Sequence, residues 1–466
     1  MQIKKLYVVK FMICHVVREY DIRGVVDQDF SKNFVENLGR AFGTFLIENN
    51  QNKVSVSGDI RESTIGLKEN FINGLLDIGL DVYDLGILTT PINYFSLFQT
   101  DITNSVQITG SHNPPEFNGF KISYDRKPFF GSSILILKDI ISKSLYKTSN
   151  KSGRLLKLDV FEDYINYLKK NINIKRDMKC IIDCGNATAG IVAPLIFDEL
   201  KIDTKKLYCE LDSSFPNHHP DPTVDKNLDD IVDIIKEENT FDVGFAYDGD
   251  GDRVVAIDEI GNIIRSDILM GVFLQDIIGK DDTVVYDVKC SRSLEYMINY
   301  YNGIPVMWKT GHSLIKDKMI KLNSKFGGEM SGHLFFADRY FGYDDGIYAS
   351  LRLIEFLSKS KEKLSELVEI IPKYFSTPEI RIDCKNDQEK FEIVSKVKNF
   401  FINKYKCNDI DGIRIEFDYG WGLVRSSNTQ PVIVCRFEAE SEELLEKIKK
   451  LIFDQIKVFG DVVIDV

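Results

Sequence analysis

Apolar and polar positions fall into a pattern that recurs three times. "KVSVSGDIREST" (53–64), "KCIIDCGNATAG" (179–190) and "TVVYDVKCSRSL" (283–294) are each an apolar run that ends in a polar turn and opens a stretch of helical period. Further along each segment a second β-rich run ends in a glycine-bearing polar loop: "SVQITGSHNPP", "DVGFAYDGDGDR" and "KFGGEMSGH". Strands alternating with helices predict sheets covered by helices on both faces, with ligands gathering beyond the carboxyl ends of the strands. The three loops therefore stand where chemistry is expected.

After "IPKYFSTPEI" (371–380) the pattern changes to strand, helix ("DQEKFEIVSKVKNFFINKY"), strand ("GIRIEFD"), strand ("PVIVCRFEA") and helix ("EELLEKIKKLIFDQI"). Polar "YKTSNKSGR" (146–154) and hairpin-like "DEIGN" (258–262) supply the earlier breaks. The fold class predicted is α/β: three related α/β domains with mixed sheets over 1–153, 154–260 and 261–371, and a two-layer α+β domain over 372–466. A chain of 466 residues suits this, since domains run to about 100–200 residues.

Composition narrows the function. A net charge of −12 argues against a general nucleic-acid binder, so an anionic ligand would need a local basic pocket. No stretch approaches the roughly 20 apolar residues of a membrane span. Lys10 and His15 interrupt the apolar start, and no signal peptide is expected. Eight scattered cysteines without paired spacing read as reduced thiols in a cytoplasmic protein.

"DGDGDR" (248–253) carries the most specific short signal. Asp248, Asp250 and Asp252 alternate with glycines that let the backbone curl, so three carboxylates can converge on one hard cation. An EF-hand is excluded because Arg253 stands where the calcium loop needs glycine and the flanks "VGFAY" and "RVVAID" are strand-like. A plain polar turn would leave three acids repelling one another. Mg²⁺ is favoured because few protein ligands leave room for waters and a phosphate oxygen.

In "TGSHNPP" (109–115) two prolines stiffen the chain behind Ser111 and His112. Such a serine is usually structural, yet near a metal it can carry a phosphoryl group. "NGFK" reads as a tight turn at Asn118–Gly119 that presents Lys121 to the same mouth. "RSSNTQP" (425–431) suits a phosphate dianion and equally a hairpin connection, and "GEMSGH" (328–333) alone reads as a flexible loop. The His218/His219 pair in "FPNHHPDP" reads as loop-shaping.

Taken in order, "REYDIRG", "TGSHNPPEFNGFKI", "DGDGDRV", "KTGHSLIK", "GEMSGH" and "RSSNTQP" resemble the α-D-phosphohexomutase family, in its bacterial phosphomannomutase/phosphoglucomutase branch. The resemblance covers almost the whole chain and implies four domains around a central cleft. It implies Ser111 as phosphoserine, which with Asp248, Asp250 and Asp252 holds Mg²⁺. It places His112, Lys121 and Arg253 beside the phosphoryl group. It gives sugar and phosphate recognition to Arg18, Lys289, His312, Glu329, Ser331 and His333, and a phosphate clamp to Arg425, Ser427, Asn428 and Thr429.

The implied reaction interconverts hexose 1-phosphate and hexose 6-phosphate, of mannose or glucose, through a 1,6-bisphosphate that also serves as activator. The implied partner is a small phosphosugar, with no nucleic acid or membrane, and the protein is expected to be a monomer or weak homo-oligomer. The alternatives are a phosphoglucosamine mutase, a phosphosugar-binding protein without catalysis, and a phosphatase. "SGDIRES", with Ile60, and Gln430 in the clamp depart from the usual family pattern.

Overall fold

The structure is a computed structural model that describes Val16 and residues 22–149, 151–427 and 430–464. Arg18, Asn428 and Thr429 lie outside the described residues. The chain forms two compact units, 1–266 with 331–367 and 267–330 with 368–466.

The first unit holds two mixed sheets. One is built from β1 (Ile22–Val25), β2 (Lys53–Gly58), β3 (Asp81–Ile87), β4 (Ser105–Ile108), β5 (Phe117–Tyr124), β6 (Lys127–Pro128) and β7 (Leu155–Lys157), in the order β1-β5-β4-β2-β3-β7 with β6 on β5. β2 runs parallel to β3 and β4, whereas β5 runs antiparallel to β4 and to β1. β7 follows the polar segment 146–154 and still pairs with β3, so this sheet extends past that segment. The other sheet joins β8 (Lys179–Asp183), β9 (Asp203–Leu207), β10 (Val243–Tyr247), β11 (Val254–Asp258) and β12 (Ile263–Ile264) in the order β12-β11-β10-β8-β9. Here β8 is parallel to β9 and β10, and β11 turns back antiparallel on β10.

This arrangement aims the chemistry. β2 and β4 are parallel, so "GDIRES" and "TGSHNPP" leave the same edge of one sheet. In the neighbouring sheet β10 is buried along its length and ends at Tyr247, directly before Asp248. "NGFK" is not the turn expected from Asn–Gly but part of β5, with Asn118 opposite Gly24 and Gly119 opposite Arg23. Strand pairing overrides turn propensity there. A side chain at 119 would place its Cβ 2.4 Å from the Ile22 carbonyl oxygen, so the glycine serves close strand approach.

Among the three strands of the second unit's first sheet, β13 (Thr283–Asp287) runs parallel to both β14 (Ile304–Trp308) and β15 (Phe326–Gly328). The following strand, β16 (Leu334–Phe336), belongs to the first unit. The second unit continues with β17 (Phe375–Ser376), β18 (Ile380–Asp383), β19 (Lys406–Asn408), β20 (Ile413–Phe417), β21 (Gly420–Ser426) and β22 (Val432–Ala439). These form one sheet in the order β17-β22-β21-β20-β19, with β18 also on β22. Helices Asp387–Phe401 and Glu442–Phe459 cover it through Val397, Phe401, Ile448 and Ile452. The sequence pattern misses β21, "GWGLVRS", because its two glycines depress strand propensity. Among the described residues no helix is long and apolar enough to cross a membrane.

One packing contact in the first unit is set by backbone proximity. Helices Lys32–Glu48 and Glu62–Asp77 touch at glycines: a Cβ on Gly39 would lie 2.2 Å from the Phe71 carbonyl oxygen, and one on Gly74 would lie 2.1 Å from that of Glu36. Neither partner is a side chain that can swing away. Gly74→Ala is therefore expected to cost about 1–3 kcal/mol, read as a lower urea or thermal midpoint for the first unit; an unchanged midpoint would contradict the contact.

Candidate active site

The site in the first unit begins with a strained residue. Ser111 takes φ +49°, a left-handed conformation that costs a non-glycine residue about 1–3 kcal/mol and persists only when its surroundings hold it. The holding group is Arg61, buried where its helix begins. Its guanidinium donates to the carbonyl oxygens of Ser111 (2.7 Å), Asn113 (2.5 Å), Pro114 (2.6 Å) and Phe117 (3.1 Å). Asp59 in turn accepts from Arg61 Nε (3.2 Å), Thr109 Oγ1 (2.7 Å), Thr64 Oγ1 (2.6 Å) and the Gly110 amide (3.1 Å). One buried ion pair thus fixes the whole loop.

That loop meets the three-acid turn. Ser111 Oγ donates to Asp248 Oδ2 at 2.8 Å and lies 3.3 Å from His112 Nδ1. Approach this close requires Gly249, since a Cβ there would stand 2.3 Å from the Ser111 carbonyl oxygen. The turn is braced from three sides: Thr188 Oγ1 donates to the Gly249 carbonyl, Thr90 N to that of Asp250 (2.9 Å), and Gly346 N to that of Gly251 (3.1 Å). Asp248 Oδ1 accepts from the amides of Gly251 (3.1 Å) and Arg253 (3.2 Å).

Asp248, Asp250 and Asp252 are fully buried, and one oxygen from each converges with the other two. Lys121, reaching in from β5, donates to Asp250 Oδ2 at 2.6 Å and to Asp252 Oδ2. Burial acts to strip its proton, but Asp250, Asp252 and Asp248 outweigh that and raise its pKa, so Lys121 is an ammonium. Burial raises Asp250 as well, and the Lys121 charge overrides it to hold this carboxyl below its ordinary range. Asp248 is pushed well up, by burial first and then by the Asp250 and Asp252 charges. One lysine does not balance three acids. Asp250 Oδ1 and Asp252 Oδ1 are buried without a hydrogen-bond partner, so the donor set fits a hard divalent cation.

Around this centre Arg253 Nε lies 3.8 Å from Asp248 and donates to His333 Nε2 at 3.0 Å. His333 Nδ1 lies 2.9 Å from Asp344 and 3.6 Å from Asp252. Ser331 is half-buried in the loop before His333. Burial, then the charges of Arg253 and Arg23, hold half-buried His112 well below the ordinary histidine range, so its ring is neutral. His219 Nε2 meets the His112 carbonyl oxygen and His218 Nε2 lies 2.9 Å from Asp183, which fits a loop-shaping pair.

In the second unit, Lys289 lies 3.3 Å from Glu379 and 3.9 Å from Asp287. Burial opposes its charge, but these acids raise its pKa. Buried Glu329 accepts from the Gly311 amide at 2.6 Å, beside half-buried His312 at the start of its helix. Arg425 Nε donates to Asp411 (3.0 Å), while its buried Nη2 has no hydrogen-bond partner. Lys390, buried in its helix, donates to the carbonyls of Ser427 (2.7 Å) and Gln430 (2.8 Å), fixing both ends of the connection between β21 and β22.

Ser111, His112, Lys121, Arg253, His333 and the three aspartates are thus gathered in one place, while Lys289, His312, Glu329, Arg425 and Ser427 belong to the second unit. Sequence reading missed Asp59, Arg61, Thr90, Thr188, Asp344 and Lys390. Asp59 and Arg61 carried a usable signal, since they leave the carboxyl end of a parallel strand as Ser111 does.

Four family descriptions match the chain in order. They are phosphoglucomutase/phosphomannomutase alpha/beta/alpha domain I (residues 15–143), domain II (162–261), domain III (265–374) and the C-terminal domain (379–455). The chain is 40% identical over 445 residues to a phosphomannomutase/phosphoglucomutase of Pseudomonas aeruginosa, covering 95% of each. It is 37% identical to a phosphoglucomutase of Neisseria meningitidis, covering 93% of this chain and 95% of that one. A crystal structure of a phosphoglucomutase/phosphomannomutase family protein from Burkholderia thailandensis superimposes with a TM-score of 0.88 at 34% identity, over 96% of this chain and 98% of that one.

Two outcomes follow for the isolated protein. Arg61→Met removes charged hydrogen bonds worth about 1.5–3 kcal/mol each, so amides 110–117 are expected to exchange with deuterium at least about tenfold faster while those of β10 stay protected; unchanged exchange would contradict the bracing role. Asp250→Asn is expected to weaken Mg²⁺ binding in titration calorimetry by at least about tenfold, and wild-type affinity would count against the three-acid site.

Proposed function

We propose that this chain, which belongs to the phosphoglucomutase/phosphomannomutase family, is a phosphohexomutase that moves a phosphoryl group between the 1- and 6-oxygens of mannose and glucose. The observation that carries this reading is Ser111 Oγ at 2.8 Å from Asp248, in a strained loop clamped beside the three buried acids and Lys121.

The chemistry follows from the groups present. Phosphorylated Ser111 gives its phosphoryl group to the free hydroxyl of a bound hexose monophosphate: the P–O bond to serine breaks, a P–O bond to the sugar forms, and the hydroxyl loses its proton. The resulting hexose 1,6-bisphosphate returns its other phosphate to Ser111, leaving the isomeric monophosphate. Phosphoryl transfer rests on positioning and charge compensation more than on covalent help, and the braced loop supplies the positioning. His112, neutral and 3.3 Å from Ser111 Oγ, can take or return a proton there. Lys121, held as an ammonium, and the Arg253 guanidinium offset the charge of the phosphoryl oxygens.

Mg²⁺ held by Asp248, Asp250, Asp252 and an oxygen on Ser111 would neutralise the phosphoryl group when bound. Lys289, His312, Glu329, Ser331 and His333 are assigned to sugar and phosphate recognition. Arg425 and Ser427, with Asn428 and Thr429, are assigned to the phosphate that is not being transferred, and the family motif adds Arg18. The unpartnered Nη2 of Arg425 supports an anion at the clamp.

Ser111→Ala is expected to lower conversion of glucose 1-phosphate and mannose 1-phosphate to their 6-phosphates by at least about a thousandfold, with circular dichroism unchanged. A coupled assay that also measures inorganic phosphate checks this. Wild-type turnover by the variant, or free phosphate as the main product of the wild type, would overturn the assignment.

A further inference from the structure

Away from the reacting groups, two thiols from adjacent segments meet. Cys184 immediately follows β8 and is buried; Cys209 lies two residues past β9 and is half-buried. Their Sγ atoms are 3.4 Å apart. The backbones are laced together on either side, with Cys184 N donating to the Leu207 carbonyl (3.1 Å) and Asn186 N to that of Tyr208 (2.7 Å). Asp183 faces Leu207 in the parallel register, so the two cysteines stand one residue out of register across strands about 4.8 Å apart, a Cα separation of roughly 6 Å that falls within the roughly 4.4–6.8 Å a disulfide bridges. The two cysteines can therefore be joined by side-chain movement with the sheet intact.

The surrounding contacts connect this pair to both catalytic loops. Asp183 lies 2.9 Å from His218 Nε2, whose neighbour His219 meets the His112 carbonyl. Asn186 donates to the Glu210 carbonyl (3.0 Å) and accepts from Asn217 (2.7 Å). Thr188 holds Gly249 in the acidic turn. Residues 183–188 thus anchor the Ser111 loop on one side and the acidic turn on the other.

We propose that Cys184 and Cys209 are an oxidisable pair that closes into a disulfide under a hydroperoxide, and that closure slows the enzyme. The more exposed Cys209 sulfur attacks the peroxide: an S–O bond forms, the O–O bond breaks, and water or an alcohol leaves. Cys184 sulfur then attacks the sulfenic sulfur: the S–S bond forms, the S–O bond breaks, and the Cys184 proton departs with hydroxide as water. Two thiols lose two electrons and the peroxide gains them. Drawing the sulfurs together to about 2.05 Å shifts the anchor of both loops, where a displacement of about 1 Å can cost up to about a hundredfold in rate.

The test treats the purified full-length enzyme with hydrogen peroxide and follows turnover of glucose 1-phosphate beside a non-reducing peptide map. The expected result is a Cys184–Cys209 linked peptide that accumulates as turnover falls by about tenfold, both reversed by dithiothreitol. Cys209→Ser is expected to turn over normally before treatment, form no linked peptide and keep its activity in peroxide. Oxidation of Cys209 to the sulfinic acid with Cys184 still unlinked would overturn the pairing, and full turnover by the linked enzyme would overturn its coupling to the site. The peptide map reads the linkage whichever substrate the enzyme uses, so failure here is distinguishable from failure of the mutase assignment.

Discussion

Three carboxylates buried in one five-residue span, Asp248 to Asp252, are unstable unless positive charge surrounds them. The first unit is organised around that demand. Lys121 comes from β5 to Asp250 and Asp252, Arg253 folds back toward Asp248, and Ser111 donates its hydroxyl to Asp248. The two acid oxygens still lacking a hydrogen bond mark where a further cation belongs. A centre so short of positive charge suits a reaction that brings in both a metal and a phosphoryl group, each compensating the other.

Charge alone does not place Ser111. Its left-handed backbone is imposed by a second ion pair, Asp59 with Arg61, which spends its hydrogen-bond donors on the carbonyls of the loop. The acidic turn is fixed separately through Thr90, Thr188 and the start of helix Gly346–Lys359. Two loops are thus held by different parts of the same unit, and they meet where Ser111 reaches Asp248 and its backbone passes Gly249. The Cys184–Cys209 pair lies beside one of these supports, which is why a small covalent change there can reach the reacting groups.

Much of this was legible in the sequence. The recurring strand, turn and helix pattern located β2, β8 and β13 and the loops after β4, β10 and β15, because strand ends in α/β sheets leave recognisable polar turns. The acidic triad was legible because three acids in five residues have few structural uses. "NGFK" was misread because Asn–Gly favours turns locally, while pairing with β1 is a long-range effect. β21 was missed because its glycines serve packing: a Cβ on Gly422 would stand 2.4 Å from Ile452 Cδ1. Supporting residues such as Lys390 and Thr188 gave no signal, since a lysine in a helix or a threonine in a turn is ordinary until its partner far along the chain is known.

The central claim is that Ser111 is the covalent carrier of the phosphoryl group, held for that purpose over the buried acids. The most direct measurement is rapid acid quench of the enzyme cycling on glucose 1-phosphate with glucose 1,6-bisphosphate, followed by phosphopeptide mapping. A phosphate ester on Ser111, formed and discharged at the rate of turnover, is the result the account requires. Turnover with Ser111 unmodified throughout, or with the phosphate on another residue, would contradict it.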